Sequence, residues 1–188
     1  ESENLEAVYI PLPNSMHKEW VERSLERGLH VLVEKSLACT VEDAAMLNIL
    51  ARDNNLFLLE NFQFRFHGQL KYITDLVKSG TIGEMRLVRS SFGFPHFEDK
   101  HNIRYNKNLG GGALLDAGAY PLKLSQIFLG NDISIIAANL YFDEKFDVDT
   151  YGSAVLRQKC GDLVSQIAFG FDNHYQCNVE LWGSNGKI

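Results

Sequence analysis

Three short apolar segments, AVYIP (7–11), HVLVEK (30–35) and LFLLE (56–60), alternate with two stretches of helical pattern. This alternation constrains the chain more than any other feature. Strand, helix, strand, helix, strand at such spacing folds as a parallel sheet with crossover helices. The first helix is predicted from Ser15 to Arg27, with Trp20, Val21, Ser24 and Leu25 on one face and Gly28 as its stop. Thr40, followed three residues later by Asp43, opens a second helix that reaches Asn54. Ligands of such sheets lie beyond the carboxyl ends of the strands. Those ends carry Pro11, Leu12, Pro13 and Asn14, then Glu34, Lys35 and Ser36, then Glu60 to Phe64.

Beyond Phe64 the texture changes. A helix over 67–79 ends in SGTIGE, and the strands MRLVRSSFGF, ISIIAANLYFD, YGSAVLRQ, DLVSQIAFGFD and YQCNVELWG follow. Strands in succession, separated by turn residues, predict a large open, mainly antiparallel sheet. The fold class is therefore α/β, with a parallel-sheet domain over 1–60 and an α+β domain over 61–188, joined by a packed boundary near residue 61.

Composition narrows the function. The net charge is −6 and no basic run occurs, which argues against nucleic acid. No apolar run approaches the roughly 20 residues of a membrane span, and ESENLEAVYI has neither the basic start nor the apolar block of a leader. Cys39, Cys160 and Cys177 are odd in number and widely spaced, so they are expected as buried, inert, reduced thiols of a cytoplasmic protein.

The segment GGGALLDAGAYP (110–121) stands between strands of the second half. Consecutive glycines cost backbone entropy and belong where a chain turns tightly or passes close to something. Asp116 and Tyr120 lie four residues apart and share a face if the segment is helical, although Pro121 marks a first turn or a kink. Near a helix start the positive dipole end favours a phenolate-like charge. A proton-transfer pair and a packed tyrosine beside a capping aspartate both fit this spacing. Lys35, at a strand end, reads on spacing alone as a solvated lysine. Asn14 is a natural N-cap for the first helix, and His17 follows it. His96, Glu98, Asp99 and His101 crowd one polar loop without a compact zinc spacing, so no metal is expected. No GxGxxG occurs, and GSNGK (183–187) lacks the Ser/Thr of a phosphate loop.

Taken in order, AVYIPLPNSMH, GLHVLVEKSLA, FQFRFHGQL, SGTIGEMRLV and NLGGGALLDAGAYPLKL resemble the Gfo/Idh/MocA oxidoreductase family. Its Tyr at the end of the DxGxY pattern is similar to the glucose–fructose oxidoreductase, dihydrodiol dehydrogenase and sugar-ketoreductase branches. The resemblance implies that 1–60 is the remainder of a Rossmann-type domain, whose glycine loop would precede Glu1, and that 61–188 is an incomplete substrate and oligomerisation domain with an open sheet. It implies NAD or NADP as cofactor, a sugar, polyol or related alcohol or ketone as substrate, and a homo-oligomer formed through the sheet. Lys35 in EKS matches the family's EKP lysine, which binds the nicotinamide ribose and the substrate, and without the proline its turn is expected to be less rigid. Pro11, Leu12, Pro13, Asn14, His17 and Glu34 would lie along the cofactor, with Arg65 at its rim. Asp116 would orient the substrate hydroxyl, Tyr120, tuned by Lys35, would carry its proton, and Arg104 and Tyr105 would line the pocket; a structural salt bridge is an equal reading for both arginines. Hydride transfer by the intact enzyme is the expected activity, the chain alone being inactive. A non-catalytic oligomerisation or sugar-binding module is the competing expectation.

Overall fold

The computed structural model describes residues 4–188, so part of the N-terminal stretch examined for a leader lies outside it. The chain divides into two compact units. One runs to Phe62 and takes in His101–Gly111; the other comprises Gln63–Lys100 and Gly112–Ile188.

In the first unit, β1 (Ala7–Ile10), β2 (His30–Glu34) and β3 (Leu58–Asn61) form a parallel sheet in the order β1-β2-β3. Ala7 pairs with His30, and Val31 with Leu58. Along β2 the side chains alternate, so Val31 and Val33 enter the core. There they meet Ile10 and Leu37, with Val21 and Leu25 from α1 (Asn14–Glu26) and Leu47 and Ala51 from α2 (Val41–Asp53). Gly28 ends α1 at φ +76°, a region that side chains rarely adopt, and the Thr40 side chain caps α2 by accepting from Asp43 N at 3.2 Å. Trp20 departs from its expected face: the buried stripe is His17, Val21 and Leu25, and Trp20 is 41% exposed.

The second unit holds α3 (Gly68–Lys78), β4 (Met85–Gly93), a π-helical turn (Leu114–Gly118) running into α4 (Ala119–Leu129), β5 (Ile133–Asp143), β6 (Val148–Gln158), β7 (Val164–Gly170) and β8 (Gln176–Gly183). The strands form one sheet in the order β5-β6-β7-β4-β8, antiparallel except where β4 pairs with β7. Val88, Leu156, Ile167, Phe169, Phe171 and Leu181 are buried within this unit. A buried hydroxyl pair, Ser125 Oγ to Ser165 Oγ at 2.7 Å, ties α4 to β7. Among the described residues, no helix is long and apolar enough to cross a membrane.

Candidate functional site

At the carboxyl edge of the parallel sheet, the turn after Lys35 is fixed by side chains from neighbouring elements. Asn14 is the first residue of α1 and does not cap it. Its Oδ1 instead accepts from Ser36 N at 3.2 Å, while its Nδ2 donates to Gly110 O at 2.9 Å. His17 is 0% exposed. Its ring nitrogens Nδ1 and Nε2 lie 2.7 Å from Ser36 O and Leu12 O, so the ring bridges the two main-chain segments. Leu37 N donates to Glu60 Oε1 at 2.8 Å, which closes the turn from β3. Where the family pattern has a proline, side chains of Asn14, His17 and Glu60 meet the backbone of this turn. Without exposed surface, His17 braces the edge from beneath.

Lys35 itself is half-buried at the end of β2. Glu34 Oε1 accepts from Tyr9 Oη and Asn61 Nδ2, both at 2.6 Å, linking all three strands; this bond holds the Tyr9 phenol above its ordinary pKa. Pro11 is exposed, Leu12 packs on the core, and Pro13 precedes the helix. No acidic residue stands in the first turn of α1 and no side chain caps it, so its positive end carries no compensating charge of its own.

The glycine triplet resolves into close approaches within the protein. A Cβ on Gly110 would meet Cys39 and Asn14, one on Gly111 would meet the Arg104 and Asn106 carbonyls, and one on Gly112 would enter the Asp149 carboxylate. Gly112 also sits at φ +116°. Asp149, on β6, accepts from Leu114 N at 2.6 Å and also takes the amides of Ala113 and of its own residue. Burial nevertheless outweighs these bonds and holds its carboxyl above the ordinary range.

Two expectations change here. The helix head is capped by an aspartate, but by Asp149 rather than Asp116. The segment begins at Leu114, so Tyr120 lies a turn inside it, and the dipole argument for Tyr120 fails because Asp149 occupies the free amides. Pro121 is accommodated just after the π turn, where the usual i to i−4 pairing is already interrupted. Asp116, half-buried, donates its N–H to Gly112 O at 3.2 Å. The Tyr120 ring packs edge-on against Phe92 (5.1 Å between centroids) and against Phe64 (6.0 Å). It forms part of the wall of a mostly apolar cavity of about 650 Å3, together with Ile73, Ser90 and Leu124.

Lys35 and its neighbours therefore belong to the first unit, and Asp116, Tyr120 and the exposed Arg65 to the second. Arg104 is half-buried in the first unit, and Tyr105 is 7% exposed. The three cysteines are exposed, against expectation. His96 Nδ1 lies 3.9 Å from Asp172 Oδ1, and among the described residues no three His, Cys, Asp or Glu side chains converge on a metal position. Sequence reasoning missed Asp149, whose partners are 35 residues away; the only local signal was that the glycines must be making room for something.

Comparisons with known proteins agree with this architecture. A family model described as an oxidoreductase family with an NAD-binding Rossmann fold matches residues 1–62, and the Gfo/Idh/MocA C-terminal domain matches 70–188. A dTDP-3,4-didehydro-2,6-dideoxy-alpha-D-glucose 3-reductase of Saccharopolyspora spinosa is 43% identical over the whole chain, which covers 56% of that enzyme. An NADP(+)-dependent D-xylose 1-dehydrogenase of Haloferax volcanii is 34% identical over 99% of the chain and 56% of its own length. The crystal structure of a 3-ketoreductase from Actinomadura kijaniata, in complex with NADP and TDP-benzene, superposes with a TM-score of 0.93 at 39% identity, over all of this chain and 57% of that one. The chain thus spans about half the length of the curated relatives it matches. On the match of both family domains and on identity along its full length, the chain belongs to the Gfo/Idh/MocA oxidoreductase family.

Proposed function

We propose that the protein carrying this chain is an NAD(P)-dependent oxidoreductase that reduces a ketone of a sugar linked to a nucleoside diphosphate. One observation carries this reading: the Asp116–Tyr120 pair lies on an ordered helical turn, in a chain 43% identical throughout to a dTDP-keto-sugar 3-reductase. The first unit fits the nicotinamide end of a dinucleotide. It offers the carboxyl ends of parallel strands and an uncapped helix start, and the described residues include no glycine loop for the pyrophosphate. When bound, the cofactor supplies hydride. Asn14, Glu34 and Lys35 line that edge, with Lys35 holding the nicotinamide ribose.

Tyr120 gives the proton that the new hydroxyl needs, and Asp116 accepts a hydrogen bond from a neighbouring substrate hydroxyl. Work on the Actinomadura enzyme, whose solved forms include a tyrosine-to-phenylalanine and a lysine-to-alanine variant, supports attention to these two residue types. Exposed Ile135, Ile136, Tyr141, Phe142 and Tyr151 on β5 and β6 support assembly of copies through the open sheet.

The test follows NADPH oxidation by the full-length protein on a dTDP-linked keto sugar and on free xylose. Tyr120→Phe should lower kcat by about 10²–10⁴-fold with little change in cofactor affinity, whereas Lys35→Ala should weaken NADPH binding as well. Equal turnover of wild type and Tyr120→Phe would remove Tyr120 from the chemistry, and preference for free xylose would refute the nucleotide-linked substrate.

A further inference from the structure

We infer that Asp149 is a positioning residue for the reaction, a carboxyl clamp on the helical turn that carries Asp116 and Tyr120. The inference rests on the assignment of Tyr120 to proton transfer. Its geometric basis lies wholly within the second unit. Asp149 reaches from β6 to the head of the turn and binds Leu114 N at 2.6 Å, six residues before Tyr120. Gly112, at φ +116°, leaves the space that the carboxylate fills; a side chain there would collide with it. Behind the turn, the Phe169 ring lies 3.1 Å from where a Gly118 Cβ would stand, so the segment is held from the sheet side too. Between these two fixed points lies a π-helical turn, whose amides do not follow the regular α ladder and so depend more on outside partners.

The charge at this position is not explained by stability. Burial raises the Asp149 carboxyl above its ordinary range even though three amides donate to it, so the folded environment disfavours its charged form. An isosteric amide would fit the same space and pay less for burial, but it presents one acceptor oxygen in place of two and sets an NH2 against backbone N–H groups. A carboxylate that lowers stability while fixing the amides at the head of a reactive turn is accounted for by positioning.

The test compares Asp149→Asn with wild type in the full-length protein with NADPH and substrate. Thermal stability should be equal or higher, kcat should fall about tenfold, and KM for NADPH should stay unchanged. Amide hydrogen exchange should quicken over residues 113–120 and nowhere else. Gly112→Ala, which displaces the carboxylate without removing it, should show the same fall in kcat and the same local exchange. An Asp149→Asn protein that loses stability in proportion to activity, or wild-type kcat in either variant, overturns the clamp; the strain of Gly112→Ala lowers stability in its own right. Tyr120→Phe is measured alongside: wild-type turnover there defeats the assignment of Tyr120, and Asp149 is then judged by exchange, where unchanged protection over 113–120 overturns it and faster exchange sustains it.

Discussion

Replacing His17 with leucine tests whether the Lys35 turn is built on a buried strut. The side chain is 0% exposed and its two ring nitrogens lie 2.7 Å from main-chain carbonyl oxygens. Leucine fills a comparable volume, so the cavity contribution is small and the loss is that of the ring's hydrogen bonding. Leaving a buried acceptor unsatisfied costs about 1–3 kcal/mol. A domain's whole stability is about 5–15 kcal/mol, so the effect should be large. The assay is urea unfolding followed by Trp20 fluorescence, since Trp20 lies on α1 beside His17; Trp182→Phe removes the second reporter. With a slope of about 1–3 kcal/mol per molar urea, the midpoint should fall by about 1 M or more at unchanged slope. His17→Gln, which retains a donor, should recover part of the loss. An unchanged midpoint in His17→Leu would refute the strut, and a loss of NADPH affinity at full stability would return His17 to the cofactor.

Three further outcomes follow from the geometry. Gly112→Ala places a Cβ at φ +116° against the Asp149 carboxylate and should cost about 1–3 kcal/mol in backbone strain alone, read from chemical denaturation. The raised Asp149 carboxyl gives a signed pH dependence: its protonated form favours the fold below the ordinary carboxylate pKa, and that contribution is lost as pH rises through the raised folded value. Asp149→Asn should therefore gain in stability relative to wild type as pH rises from acid to neutral; a difference that does not change with pH contradicts this. Tyr141, stacked on Tyr151 at 4.7 Å and 48% exposed, serves as a probe of assembly. Tyr141→Glu should shift sedimentation toward monomer, and an unaltered oligomer would clear that face of a role.

The elements legible in the sequence were those fixed by local rules. Alternation along HVLVE, the Thr40–Asp43 cap and the Gly28 stop each act within a few residues, and each stands where the pattern put it. The supports of the site were illegible for the complementary reason. Asn14 looks like an N-cap because an asparagine before a helix satisfies amides locally, yet its side chain is spent on Ser36 and Gly110, 22 and 96 residues away. The dipole argument for Tyr120 failed because the residue that neutralises the helix head is contributed by another strand. A motif singles out side chains for a role; which ones hold them depends on contacts that no spacing encodes.

The two supports differ in a way that bears on how such a site tolerates change. His17 is satisfied at both nitrogens in a site without solvent, so the fold and the Lys35 turn draw on the same two bonds. Substitution there should damage stability and function together. Asp149 pays a burial cost that its amide partners do not fully offset, so the fold gains from its neutralisation while the helical turn loses a fixed point. Variation at position 149 should therefore separate stability from turnover, and combining His17→Leu with Asp149→Asn discriminates the two cases. The supports stand in different units with no shared partner, so their stability changes should add within about 0.5 kcal/mol. A larger departure would mean that the two supports do not act independently, and the separate roles assigned to them would fall.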